Sequence, residues 1–116
     1  MTTQQWNPVF AQGAEFESTV TVSSWPATYP ALVTATDWRL TVSQPDTAAF
    51  LTATLANYIT LNGSKTVGTI KIPAAITSTF PLGHCRLDLD ILFPGSVVKR
   101  IISLASAQVN TYAGAT

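Results

Sequence analysis

The chain has 116 residues, 47% of them apolar and 10% charged, with six basic side chains balanced by six acidic ones. That size suits one domain with its own core, and the apolar fraction excludes a disordered chain. A charged fraction far below the roughly 25% of ordinary soluble domains protects a monomer poorly against self-association, so partners are expected to cover part of the surface. A secreted, Thr-rich domain would share that composition.

The six basic residues Arg39, Lys65, Lys71, Arg86, Lys99 and Arg100 are scattered, which speaks against nucleic-acid binding. No apolar run nears the ~20 residues of a membrane span. Met1 to Trp6 lacks the basic residue and apolar run of a signal peptide. A single cysteine, Cys85, cannot form an internal disulfide. Synthesis and folding in a cytoplasm are therefore expected.

Period-two alternation dominates the chain. Residues 1–9 are expected as an extended arm. From Ala14 to Val22, Phe16, Ser18, Val20 and Val22 face one way, and Glu15, Glu17, Thr19 and Thr21 the other. Residues 24–35, with Pro26 and Pro30, form a loop. Thr36 to Ser43 is a strand with Trp38, Leu40 and Val42 on one face, and Gln44-Pro45-Asp46 turns the chain. Phe50 to Leu61 reads as one bent strand or two short ones, and Asn62-Gly63 is a turn. Val67 to Ile72 is a strand closed by Pro73. At most one short helical turn is expected, near 74–79.

The clearest hairpin follows. Cys85, Leu87, Leu89, Ile91 and Phe93 line one face of its first strand; His84, Arg86, Asp88, Asp90 and Leu92 line the other. Pro94-Gly95 turns the chain. The return strand runs from Val97 to Leu104 or on to Val109 and is apolar on both faces, with Val98, Ile102 and Leu104 against Val97 and Ile101. Such a strand is buried on both sides, or its outer face meets a partner. Residues 110–116 form a second extended arm. Six to eight short strands with frequent turns, in one domain spanning residues 1–116, suggest an all-β fold, either a β-sandwich or a small barrel.

Little of this carries chemistry. His84 and Cys85 are neighbours on a strand and point to opposite faces, so they do not make a nucleophile–base pair. One His and one Cys cannot build a zinc site. Asp88 and Asp90 share a face, with Asp37 as a third carboxylate in principle. A solvated face with Arg86 nearby and Lys99 or Arg100 across the hairpin explains them better. No catalytic residue, cofactor or metal is expected. Trp6, Trp25, Trp38, Tyr29, Tyr58 and Tyr112 are the aromatic candidates for stacking on sugars. Trp38, inside an alternating strand, reads as core. Trp25 and Tyr29, in a Pro-rich loop, are the better ligand or partner contacts. With Val97 and Ile101 they are the partner-contact candidates.

The stretch Phe80-Pro81-Leu82-Gly83-His84-Cys85-Arg86-Leu87-Asp88-Leu89-Asp90-Ile91, followed by Phe93-Pro94-Gly95-Ser96-Val97-Val98-Lys99-Arg100-Ile101-Ile102, resembles a pattern of small tailed-phage structural domains. There a Pro-x-Gly turn leads to a strand ending in Asp-Leu, a Gly-containing turn, Val-x-Arg and an apolar strand. Phe10-Ala11-Gln12-Gly13-Ala14-Glu15-Phe16 resembles the opening, and Gly68-Thr69-Ile70-Lys71-Ile72 the middle strand. The family is the immunoglobulin-like domain at the N-terminus of phage upper baseplate proteins and in related short tail proteins. The resemblance covers residues 9–109. It departs from the family at Arg86-Leu87, where an aromatic residue is usual before Asp-Leu, and in the loop around Trp25 and Pro30.

What the resemblance implies is an all-β, antiparallel immunoglobulin-like β-sandwich of about seven strands, serving as a virion structural protein: a tail or baseplate adaptor, made in the host cytoplasm and assembled in several copies. Its partners would be other virion proteins, with no nucleic acid or membrane. A capsid decoration protein and a free-standing carbohydrate- or receptor-binding module are the alternatives.

Overall fold

The computed structural model describes residues 2–3, 8–23, 25–45 and 47–111, apart from the side chains of 2, 3, 103 and 104. Trp6, Asp46, Tyr112 and the side chain of Leu104, on which some expectations fell, lie outside the described residues, as does most of both expected arms. The strands are β1 (Thr2–Thr3), β2 (Val9–Ala11), β3 (Phe16–Ser23), β4 (Asp37–Ser43), β5 (Ala49–Ala53), β6 (Ile59–Leu61), β7 (Val67–Ile72), β8 (Gly83–Phe93) and β9 (Val97–Asn110). A 3₁₀ turn covers Leu32–Thr34, and one helix, α1, covers Ala74–Thr77.

The strands form two sheets, ordered β1-β3-β7-β6 and β2-β9-β8-β4-β5. The fold is thus mostly β with one short helix. It is not purely antiparallel: β2 runs parallel to β9, with Val9 opposite Gln108 and Ala11 opposite Asn110. Hairpin connections force antiparallel pairing, but no hairpin joins β2 to β9, so direction there is unconstrained. The described part of the expected N-terminal arm is therefore paired, β1 to β3 and Val9 to β9. After β2 the chain turns at Gly13, whose φ of 77° lets the Ala14 N–H donate to the Ala11 carbonyl at 3.1 Å.

The stretch Phe50 to Leu61 resolves into two strands in different sheets, β5 and β6. The Asn62-Gly63 turn is longer than a two-residue hairpin loop. Asn62 N–H donates to the Val67 carbonyl, and Asn62 Oδ1 accepts from the N–H groups of Thr66 and Val67. The left-handed residue is Lys65, at φ 59°, and not Gly63.

The core lies between the sheets. Trp38, Leu40 and Val42 of β4 and the alternating row Cys85, Leu87, Leu89, Ile91 and Phe93 of β8 are all buried; Val20, Val22, Ile70 and Ile72 close it from the other sheet. One end is filled by aromatic rings. Phe10 sits 4.5 Å from Phe16 and 5.3 Å from Phe80, and Phe50 lies 5.0 Å from Phe80 (centroid distances). A ring buried as fully as Phe10 stabilises by about 1.5–3 kcal/mol.

β9 does not alternate simply. The eleven residues of β8 face thirteen of β9, Val97 to Val109, and the register shifts between Leu87 and Leu89 and again between Leu89 and Asp90. Each extra residue on β9 reverses the alternation once. Consecutive residues Ile101 and Ile102 are therefore both buried.

Candidate functional site

The first candidate region is one end of the two-sheet fold, where the loop between β3 and β4 meets the β8–β9 turn. Pro26 and Pro30 hold that loop out of strand geometry. The Trp25 indole N–H donates to the Pro30 carbonyl at 2.8 Å, and Tyr29 N–H to the Pro26 carbonyl at 3.2 Å. The Trp25 ring lies 5.2 Å from Tyr29, nearly edge-on at 77°, and 6.0 Å from Phe93. Lys99 Nζ stands 4.4 Å above the Tyr29 ring, a cation–π contact. Val97, paired with Phe93, packs on the core at the same end.

Three of the four expected contact residues, Trp25, Tyr29 and Val97, thus belong to this end, each half-buried. Ile101 is corrected: it is 4% exposed, because the β9 bulges turn it inward, and it offers no outer surface. Among the described side chains of this strand, the exposed large apolar one is Val98, at 45%. Trp25 and Tyr29 do not make a flat platform, since their planes are nearly perpendicular and Lys99 covers one ring.

The second region is the outer face of the five-stranded sheet, which carries all three arginines of the chain. Pairing of β8 with both neighbours sets Arg39, Asp90 and Arg100 in one row. Arg100 grips Asp90 with two bonds, Nε to Oδ1 at 2.8 Å and Nη2 to Oδ2 at 3.2 Å. Arg39 Nη2 donates to Oδ2 at 3.1 Å. The two arginine stems cover the carboxylate so fully that the Asp90 side chain is 2% exposed on an outward-facing strand position. Burial alone would raise its pKa. The hydrogen bonds and charges of Arg100 and Arg39 outweigh that and hold it below the ordinary carboxylate value.

The expected solvated carboxylate pair is therefore corrected: Asp90 is a buried ion-pair centre. Asp88 lies 3.9 Å from Arg100. Of the cations expected across the hairpin, Arg100 takes the role and Lys99 turns to Tyr29. Sequence reasoning missed Arg39. Its position opposite the inward Trp38 was legible, but the pairing of β4 with β8 is long-range. Asp37 stands apart, with Oδ1 accepting from the N–H groups of Trp38 and Leu55.

Near the far end of β8, Cys85 and His84 diverge as expected. Cys85 is fully buried, and burial pushes its thiol up to about 11. His84 faces out and, with Pro8, Val9, Ser106, Ala107 and Gln108, lines an open groove of about 230 Å³. Among the described residues no hydrogen bond links His84 to Ser106, and no group of three or more His, Cys, Asp or Glu side chains is placed to hold a metal.

No protein-family model and no curated protein matches the chain.

Proposed function

We propose that this chain is a virion structural protein, an immunoglobulin-like adaptor of a phage tail or baseplate. It is used in several copies and docks fibres or neighbouring tail proteins. The observation that carries the reading is the strand order. An immunoglobulin-type sandwich places its strands A, B, E and D in one sheet and G, F and C, extended by C′, in the other. With β1 and β2 as the two halves of a split first strand, the order β1-β3-β7-β6 reads A-B-E-D, and β9-β8-β4-β5 reads G-F-C-C′. The parallel β2–β9 pair is then the second half of strand A lying on strand G. The turn-and-strand resemblance over residues 9–109 and the sparse charge support the same reading.

The test is mass spectrometry of purified particles, with tails and capsids separated. The chain is expected in the tail fraction. Its presence only on capsids favours the decoration role, and its absence from particles removes the reading. The carbohydrate-binding alternative has weaker support, because the edge-on Trp25–Tyr29 pair lacks a common plane for a sugar face.

A further inference from the structure

Among the described residues, each outer face of the two sheets bears one more charge of one sign than its ion pairs use. On the four-stranded sheet, Glu15 pairs with Lys71 at 3.5 Å. Glu17, two residues on, is exposed and stands opposite the same Lys71 in the register, so two carboxylates border one cation whose ion pair is with Glu15. On the five-stranded sheet, Arg39 and Arg100 are committed to Asp90, and Asp88 lies beside Arg100. Arg86 is exposed, flanked in register by Ser43 and Ser106, and makes no such contact. The other described charges are engaged too: Asp37 with two backbone N–H groups, Lys65 with the Ala35 carbonyl, Lys99 with the Tyr29 ring. Among the described residues, the four-stranded face thus carries two carboxylates for one cation, Lys71, and the five-stranded face three arginines for two carboxylates, an excess of opposite sign on each.

Both surroundings suit close approach. Glu17 is bordered by Thr19 on its own strand, and Thr19, Thr69 and Thr60 stand in one row across three strands. Arg86 lies among Ser43, Thr41 and Ser106. Short polar side chains allow two sheet faces to meet with the long charged ones reaching across.

We infer that the outer face of the four-stranded sheet of one copy packs on the outer face of the five-stranded sheet of the next, Glu17 against Arg86. The occupant is a second copy of this chain, chosen by charge. Pairing like faces would bring together two surfaces with the same excess charge, which is repulsive. The contact is heterologous, so it propagates to a ring or a filament and does not stop at a dimer. It rests on the reading of the chain as a multi-copy structural protein and supplies the contact between copies.

The experiment is sedimentation velocity of the purified chain over a wide concentration range at low salt, with circular-dichroism melting as the folding control. The wild type is expected to associate with rising concentration, and less so at high salt. Glu17→Lys and Arg86→Glu should each raise the half-association concentration by about tenfold or more. The swapped pair Glu17→Lys/Arg86→Glu should return it close to wild type. Glu17→Gln and Arg86→Gln serve if a reversal disturbs the fold. A wild type that remains monomeric, single variants that associate unchanged, or a swap that fails to recover overturns the contact. A chain found in particles whose association ignores the swap loses only this interface; absence from particles removes the functional reading itself.

Discussion

The indole of Trp38 and the backbone of Gly68 meet across the two sheets with no room for a methyl group. A Cβ on Gly68 would lie 2.6 Å from Trp38 Cζ3 and 2.9 Å from Cε3. Trp38 is fully buried, and neither ring atom can swing aside as a flexible chain end would. Gly68→Ala should therefore cost about 1–3 kcal/mol of stability, the usual penalty of overpacking. The shift in urea midpoint measures it. In a Trp38→Leu background the same substitution should cost less than half as much, because the clash is gone.

Asp90 should dominate the acid response. Its folded pKa lies below the unfolded value of about 3.9. A carboxylate depressed in this way stabilises the fold above its unfolded pKa, and that stability is lost as pH falls through the folded pKa. The urea midpoint of the wild type is expected to drop steeply below about pH 4. Asp90→Asn should flatten that drop. At neutral pH it should cost about 3–5 kcal/mol, because two guanidiniums lose the charge they share.

Cys85 should be inert while the chain is folded. With a thiol at about 11, only about one molecule in a thousand carries the thiolate at pH 8, and the side chain is sealed from solvent. A thiol-reactive chromophore should label it no faster than the protein unfolds. Labelling within seconds in native buffer would contradict its place in the core.

Trp25 should act as a loop anchor. Trp25→Phe keeps a ring near Phe93 and loses the bond to the Pro30 carbonyl, so it should cost about 0.5–1.5 kcal/mol. Trp25→Ala should cost more, through lost packing. Adding sugars should leave tryptophan fluorescence unchanged; a saturable shift would revive the carbohydrate reading.

Local order was legible in the sequence, and long-range order was not. Alternation placed Trp38 and the row from Cys85 to Phe93 in the core, and the Pro94-Gly95 turn fixed the last hairpin, because these signals lie within a few residues of one another. The parallel partner of β2 was hidden, since nothing near Val9 points to Gln108. The bulges in β9 were hidden too: they show only when eleven residues are laid against thirteen, and they are why Ile101 turned out to be core. Asp90 read as solvated because its cover comes partly from Arg39, fifty-one residues away.

The β2–β9 pair has a kinetic consequence. Val9 waits for Gln108, so the whole segment between them must leave the ribosome before Phe10 finds its permanent neighbours along β9. Closing so long a loop is entropically costly and slow relative to hairpin formation. The β8–β9 hairpin, whose strands are joined by three residues, is the natural early structure. Until it forms, the nascent β2 has no strand to pair with, and the fastening of Val9–Ala11 to β9 must follow that hairpin.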